Sequence, residues 1–229
     1  LVEFPNGAWA NKTLQVDYRM FKVPLASNFV KKEIVKIAEG IYTINGVYVG
    51  YVPVIETKNG VIIYDTGENP EEGREILRLL ETVTQKPIIA VIYSHSHYAF
   101  GASAIKEKYP NVKFIGNPRL AVNMASGSAA GSVFPEISPL LNSGVVQQFH
   151  MMLPKEGKDA PFGGYISFPD FSGFVMPTVE VKEGQILNID GVDCQFFTNY
   201  NTDTDDQLLV WMPGKKIALN NAFWGMMPN

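Results

Sequence analysis

The sequence contains little cysteine: Cys194 is the only one among 229 residues. One cysteine excludes an intrachain disulfide framework and a zinc site built from several thiolates. Long apolar runs are missing too, since the strongest, residues 87–93, is far shorter than the roughly 18 residues of a membrane-spanning helix. No long run of basic residues occurs, and the formal net charge is −4. Nucleic acid and acidic membrane surfaces are therefore not expected as partners.

The composition is that of a folded domain. Hydrophobic residues make up 46% of the chain and charged residues 18%, which is enough for one sizeable core. We expect an N-terminal extension over residues 1–33 and a main domain over residues 34–229. Because the chain begins at Leu1 without a methionine and ends in an apolar stretch, we also expect it to be a fragment of a longer polypeptide.

Short β-rich runs separated by glycines begin the main domain. They predict an antiparallel meander with a hairpin turn at Asn59-Gly60 and strands at 34–37, 41–44, 47–49, 52–55 and 61–64. Farther along, the pattern predicts helices from Asn69-Pro70, at 101–109 and at 118–124, and strands at 88–93, 112–115, 186–189, 192–197, 208–211 and 216–219. Two β-rich halves with helices favour an α/β or α+β domain, in which two sheets pack face to face with helices outside.

A long segment at about 126–178 is inserted into this pattern and is rich in glycine, proline and serine. Loops of this length inside a domain are uncommon and often bind ligands. Four of its aromatic side chains are candidate substrate-binding residues: Phe162, Phe168, Phe171 and Phe174. The alternative is that the segment folds its own apolar residues inward.

Two of the three histidines stand two residues apart, in the run Tyr-Ser-His95-Ser-His97-Tyr that follows a buried strand. In extended backbone, residues i and i+2 project to the same side, so the two imidazoles can converge on one point. Imidazole nitrogen is a favoured zinc ligand. The alternative is a pair of ordinary polar residues in a strand-to-helix loop, but the carboxyl end of a strand is where sites of α/β proteins collect.

Carboxylates occur at two further positions of interest. Asp65 ends another apolar strand, where it either orients a metal-binding histidine or forms a turn before Gly67. The triplet Asp-Thr-Gly also occurs in aspartic proteases, but those enzymes need two such carboxylates. The second position is a loop with Asp203, Asp205 and Asp206, which offers oxygen ligands to a cation or is a solvated acidic turn.

The run GIYTINGVYVGYVPVIETKNGVIIYDTG, followed by PIIAVIYSHSHYAFGA, resembles the metallo-β-lactamase superfamily, and the second run is especially similar to its alkylsulfatase-like (linear alkylsulfatase) branch. The resemblance covers roughly residues 34–222 and implies an αββα sandwich. It also implies roles for four residues. His95 and His97 match the first two metal-binding histidines, and Asp203 falls where this branch places a carboxylate ligand. Asp65 matches the superfamily's strand-end aspartate.

The sequence departs from the family pattern at several ligand positions. The pattern His-x-His-x-Asp-His ends here in Ala99 and Phe100, and a later carboxylate is replaced by Asn221. The histidine-bearing segment beyond it is replaced by residues 225–228. Neither a methyl nor a phenyl group has a lone pair to donate. The resemblance therefore implies one zinc ion on His95, His97 and Asp203, with the second metal position lost.

Two functions follow from this site. The first is a mononuclear metallohydrolase, in which a metal-bound water attacks a small amphiphilic substrate; the resemblance implies sulfate esters of alkyl chains. Its general acid is not identified, because the third histidine, His150, is expected to be a loop or core residue. The second is a degenerate homologue that serves as a binding or assembly module. The family's remaining machinery could also lie beyond Asn229. The resemblance further implies a homodimer, and with the missing start it leads us to expect a periplasmic or secreted protein.

Overall fold

The structure is a computed structural model that describes residues 32–125, 170–200 and 204–221. Its strands are β1 (Glu33–Ala38), β2 (Ile41–Asn45), β3 (Val52–Glu56), β4 (Val61–Tyr64), β5 (Ile88–Ile92), β6 (Lys113–Gly116), β7 (Val179–Glu180), β8 (Ile186–Ile189), β9 (Val192–Phe197), β10 (Leu209–Met212) and β11 (Ile217–Leu219). Its α-helices are α1 (Pro70–Leu80), α2 (Ala102–Lys108) and α3 (Pro118–Ala125), and short 3₁₀ turns cover Ser96–Tyr98 and Phe171–Gly173.

Within these ranges the strands form two sheets. The larger has the order β1 to β7, and the smaller has the order β11-β10-β9-β8. Strands β1 to β4 pair antiparallel, whereas β4 to β7 pair parallel. Parallel neighbours need a crossover connection, and α1 and α2 supply it after β4 and β5. The carboxyl ends of β4, β5 and β6 therefore meet at one edge of the larger sheet.

The central strands of the larger sheet are buried on both faces. Ile62 and Tyr64 belong to the apolar core between the two sheets, whereas Val61 and Ile63 belong to the core beneath the helices. This alternation follows from the two-residue period of a strand. A continuous apolar run is typical of parallel strands covered on both sides. The prediction of two sheets packed face to face with helices outside is confirmed, and the described α-helices pack on the outer face of the larger sheet.

The predicted start of the first helix is confirmed in detail. The side chain of Asn69 accepts a hydrogen bond from the backbone N–H of Glu72 at 2.9 Å, and Pro70 occupies the first helical position. A capping oxygen satisfies an N–H group that has no partner inside the helix, and proline has no N–H to lose there. The helix therefore begins close to the carboxyl end of β4.

One predicted strand was wrong: residues 47–49 form bends between β2 and β3. Gly46 has a φ of 73°, which turns the chain out of the extended conformation. The ring of Tyr48 is then buried, with its centroid 4.9 Å from that of Tyr98. The β-rich composition of this stretch reflects burial of its side chains and not strand pairing.

The Asn59-Gly60 turn is confirmed as the connection between β3 and β4. Asp190, in the turn between β8 and β9, accepts hydrogen bonds from the Asn59 backbone at 2.5 Å and from the Thr57 hydroxyl at 2.8 Å. The two sheets are thus joined by polar contacts at the end remote from the carboxyl ends of β4 and β5.

Two predicted segments fall largely outside the described residues, namely the extension at 1–33 and most of the insertion at 126–178. Their assignment stays a prediction. In the part of the chain that the structure describes, no helix has the length and apolar character needed to cross a bilayer.

Candidate metal centre

The candidate site lies where β4 and β5 end side by side. Asp65 follows β4 directly, and its backbone N–H donates to the carbonyl of Ile92 on β5 at 2.8 Å. Ser94 and His95 follow β5 after one further residue, and all three of these polar residues are fully buried. Burial of polar side chains at a sheet edge is costly unless they are bonded to partners, so their hydrogen bonds define the site.

The two histidines are brought together as the sequence predicts. His95 Nε2 lies 3.0 Å from His97 Nδ1. Two nitrogen ligands of a tetrahedral zinc ion, each bound at about 2.0–2.1 Å, lie about 3.3 Å apart. The observed separation is within a few tenths of an ångström of that value. Of the three predicted ligands, these two fit a metal ion.

The backbone route to this geometry differs from the prediction. His95 is extended, with φ −173° and ψ −175°, but Ser96–Tyr98 forms a 3₁₀ turn. The side chain of His97 is therefore brought back towards His95 by the turn and not by strand alternation. The ring planes lie 76° apart with centroids separated by 4.7 Å. In this arrangement Nε2 of His95 faces Nδ1 of His97.

Ser94 is a site residue that the sequence analysis missed. Its hydroxyl oxygen lies 2.7 Å from Nδ1 of His95. When Nδ1–H donates to that oxygen, the lone pair of the ring is on Nε2, the atom that faces His97. The only sequence signal was a hydroxyl residue directly before the first histidine of the pair.

The contact of Asp65 is with the backbone next to the histidine. Its Oδ1 accepts a hydrogen bond from the Ser94 N–H at 2.7 Å, and its Oδ2 accepts one from the side-chain amide of Asn221. Burial raises the pKa of Asp65 from 3.8 to about 6, although nearby His95 and the Ser94 N–H lower it in part. The φ of Asp65 is 69°, a conformation that aspartate tolerates better than most residues.

Asn221, where the family pattern has a carboxylate, is used as a donor. Besides Asp65, its amide nitrogen donates to the carbonyl of Tyr51 at 2.9 Å, and it lies 3.3 Å from the Tyr48 hydroxyl. An amide has two hydrogens, so the Tyr48 contact is the weakest of the three. Asn221 thus ties the residues after β11 to Asp65 and to the loop after β2.

Tyr98 forms one wall of the histidine site. Its ring lies edge-to-face on both imidazoles, with centroids 4.9 Å from His95 and 6.2 Å from His97. Its carbonyl accepts hydrogen bonds from the backbone N–H of Thr66 at 2.9 Å and from the Thr66 hydroxyl at 3.1 Å. The turn that carries His97 is therefore fixed to the residue after Asp65.

Two apolar residues stand where the family resemblance implies ligands of a second metal ion. Ala99 and Phe100 are fully buried. The Phe100 ring packs on Phe171 with a centroid distance of 4.9 Å and lies 6.4 Å from Phe174. Neither Ala99 nor Phe100 offers a ligand atom, so these two described residues do not fit the role of metal ligands.

The candidate substrate-binding aromatics differ in exposure. Phe171 is 48% exposed. Phe174 packs against the core beneath the helices, with its ring centroid 6.0 Å from that of Tyr93. Phe162 and Phe168 lie outside the described residues. Of the two described aromatics, Phe171 is exposed and Phe174 is half-buried, so Phe171 is the better placed to contact a ligand.

The acidic loop is described only from residue 204 onward, so Asp203 lies outside the described residues. Asp205 is held by Arg119 and Asn123. Asp206 is fully buried, and its Oδ2 has no hydrogen-bond partner among the described residues. In the ranges 32–125, 170–200 and 204–221, no three His, Cys, Asp or Glu side chains lie close enough to hold a metal ion. Neither Asp205 nor Asp206 therefore completes a site with the two histidines.

Comparison with known proteins agrees with this geometry. The family profile described as the Metallo-beta-lactamase superfamily matches residues 45–216. A linear primary-alkylsulfatase of Pseudomonas sp. is 26% identical in an alignment of 176 positions that covers 73% of this chain and 32% of that protein. The alkyl/aryl-sulfatase BDS1 of Saccharomyces cerevisiae is 28% identical in an alignment of 203 positions that covers 82% of this chain and 29% of that protein. The chain thus spans about a third of the length of these relatives.

Solved structures share the fold. The sec-alkylsulfatase Pisa1 from Pseudomonas sp. has a TM-score of 0.61 at 20% identity, over 80% of this chain and 30% of that one. A metallo-beta-lactamase of Cronobacter sakazakii has a TM-score of 0.52 at 16% identity, over 81% of this chain and 60% of that one. At these identities the likeness is one of fold. With the family profile matching most of its length and the same two-sheet architecture, this chain belongs to the metallo-β-lactamase superfamily.

Proposed function

We propose that the chain supplies the active site of a metal-dependent hydrolase that acts on sulfate or related esters carrying an alkyl chain. The observation that carries the proposal is the 3.0 Å approach of His95 Nε2 to His97 Nδ1 at the buried end of β5. The reaction class is supported by the relatives, which are alkylsulfatases by name. His95 is fully buried and His97 is half-buried, and the approach of their ring nitrogens next to a strand-end carboxylate supports a metal site.

One zinc ion is proposed, held by His95, His97 and Asp203. When bound, the ion would act as a Lewis acid and bring the pKa of a coordinated water towards neutrality. Ser94 fixes the ring of His95 through Nδ1, and Asp65 fixes the backbone of Ser94. The chain's own contribution is thus to orient two ligands through these hydrogen bonds, which lowers the cost of ordering them on binding.

The proposed substrate is a small amphiphile. Its charged ester group would lie at the histidines, and its alkyl chain would lie on Phe171. Phe171 packs edge-to-face on Phe100, which stands where the family has a histidine. Phe100, the apolar residue at a ligand position of the family, thus contacts Phe171, the side chain proposed to bind the alkyl chain.

We expect the purified protein to hydrolyse dodecyl sulfate and to lose this activity after dialysis against a chelator. One equivalent of zinc per chain should restore the activity, and a second should add nothing. Released inorganic sulfate is the quantity to measure. Activity that survives complete metal removal would contradict a metal-dependent mechanism.

F171A is expected to weaken the apolar contact with the substrate. Each substrate methylene buried against protein contributes about 0.8 kcal/mol to binding. If F171A exposes two methylenes, KM for dodecyl sulfate should rise about tenfold. Because this contact is expected to be equally strong in the ground state and the transition state, its loss should leave kcat unchanged. The matched control is I186A, which removes a 58% exposed apolar side chain from the smaller sheet. Equal KM changes in both variants would exclude Phe171 from the substrate site.

A second candidate function is a non-catalytic binding or assembly module with the same fold. It is favoured by the fully buried Phe100 in a ligand position of the family. The two candidates differ in a simple respect: a binding module is expected to fold normally without metal and to hydrolyse no sulfate ester at any zinc concentration.

A further inference from the structure

Helix α3 lies against the histidine turn and also reaches the acidic loop. It starts directly after β6, where the side chain of Asn117 accepts a hydrogen bond from the Arg119 backbone at 3.0 Å. It packs against the Ser96–Tyr98 turn, which carries His97. Arg119 and Asn123 are four residues apart, so their side chains project from the same face of the helix. The side chains on that face contact Asp205 in the acidic loop.

Both oxygens of the Asp205 carboxylate are held by this face, and we call these three residues the Asp205 clamp. Arg119 donates to Oδ2 through Nε at 3.0 Å and through Nη2. Asn123 donates to Oδ1 through its amide at 2.7 Å. Both carboxylate oxygens of Asp205 therefore accept hydrogen bonds from side chains of α3.

The clamped segment, residues 204–208, is also bonded to the histidine site. The Leu208 N–H donates to the carbonyl of Ser94 at 2.7 Å. The carbonyl of Gln207 accepts from the Asn117 side chain at 2.9 Å. The segment is thus fixed to α3, to the residue after β6 and to the residue before His95.

We propose that the Asp205 clamp is a positioning device for the metal centre, in which Arg119 and Asn123 hold segment 204–208 against Ser94. The clamp orients the backbone that precedes His95 and anchors the chain immediately after Asp203. None of its three residues touches the substrate or the metal. The proposal rests on the proposed function, since it assigns these residues to the metal site of that hydrolase.

The clamp is poorly suited to a purely stabilising role. The side chains of Arg119 and Asp205 are 54% and 45% exposed. Ion pairs at such exposure contribute little to the stability of a fold. Contacts that orient metal ligands, in contrast, change metal affinity by 10- to 100-fold when removed. Metal affinity is therefore the readout that separates the two roles.

The first measurement is the zinc dissociation constant, by competition with a chromophoric chelator, for the wild type, R119A, D205A and the double variant. We expect D205A to raise the constant about tenfold and R119A to raise it less, because Asn123 still holds Asp205. The double variant should be no weaker than D205A. K182A is the matched control, since Lys182 lines the same cavity of about 430 Å³ as Arg119 and lies outside the clamp. The thermal midpoint in chelator should be unchanged throughout.

The second measurement is amide hydrogen exchange over residues 204–212 in the metal-free protein. We expect faster exchange in R119A and D205A and no change in K182A, because the Leu208 N–H loses its fixed position. If the wild type binds zinc and both variants have the same zinc affinity and the same exchange rates, the positioning role of the clamp is contradicted. The proposed function then stands. If wild type binds no zinc, the proposed function fails, and the assignment of the clamp to a metal centre fails with it.

Discussion

Replacing His95 with alanine is expected to remove zinc from the protein and to lower dodecyl sulfate hydrolysis by at least about a thousandfold. The variant loses Nε2, one of two nitrogen atoms that approach to 3.0 Å. It also leaves His97 as the only histidine of the pair. Zinc content per chain by mass spectrometry and the rate of sulfate release are the two measurements.

H150A is the matched control for that variant, because it removes the one histidine that has no assigned role. It should keep about one zinc per chain and wild-type activity. Equal zinc content in H95A and wild type would mean that the metal, if present, is bound elsewhere. Equal loss in H95A and H150A would show that the ligand set has been assigned incorrectly.

D65N is expected to be more stable than wild type at pH 8 and no more stable at pH 4, in metal-free protein. Burial raises the pKa of Asp65 from 3.8 to about 6, so between these values the folded state binds more protons than the unfolded state. The wild-type free energy of unfolding therefore falls as pH rises through this window, by about 3 kcal/mol in total. Asparagine does not titrate, and its Oδ1 can still accept the Ser94 N–H. Its amide nitrogen then faces the donor amide of Asn221, which offsets part of the gain in stability at pH 8.

Urea unfolding at several pH values between 4 and 8, with chelator present, measures the difference. D190N is a control in which the expected effect has the opposite sign, because hydrogen bonds from Asn59 and Thr57 lower the pKa of the half-buried Asp190. Asp190 contributes stability above its unfolded pKa and loses it as pH falls, so D190N should be less stable than wild type at pH 8. Parallel pH curves for D65N and wild type would show that Asp65 is not the buried titrating group.

Much of the fold could be predicted because local signals and packing agree. The uninterrupted apolar run of β4 predicts a strand covered on both faces, and all four of its residues are buried. Asn69-Pro70 predicts a helix start with its own physical mechanism. The bends at residues 47–49 could not be foreseen, since β-branched and aromatic residues serve buried loops as well as strands.

The site was predictable only in part. The spacing of His95 and His97 and their place after a core strand indicated that they meet. The contacts that hold them come from residues far apart in sequence: Asn221 reaches Asp65, and Leu208 reaches Ser94. No local pattern encodes such pairs, because the topology of the two sheets brings them together. The third ligand, Asp203, stays a prediction, as do the homodimer and a periplasmic or secreted location.

The most direct test of the account is X-ray absorption at the zinc edge on wild-type protein loaded with one equivalent of zinc. The account predicts two imidazole nitrogens and one carboxylate oxygen at about 2.0–2.2 Å, and no second metal at about 3.5–4 Å. A spectrum without imidazole scattering, or one with a neighbouring metal ion, would contradict it.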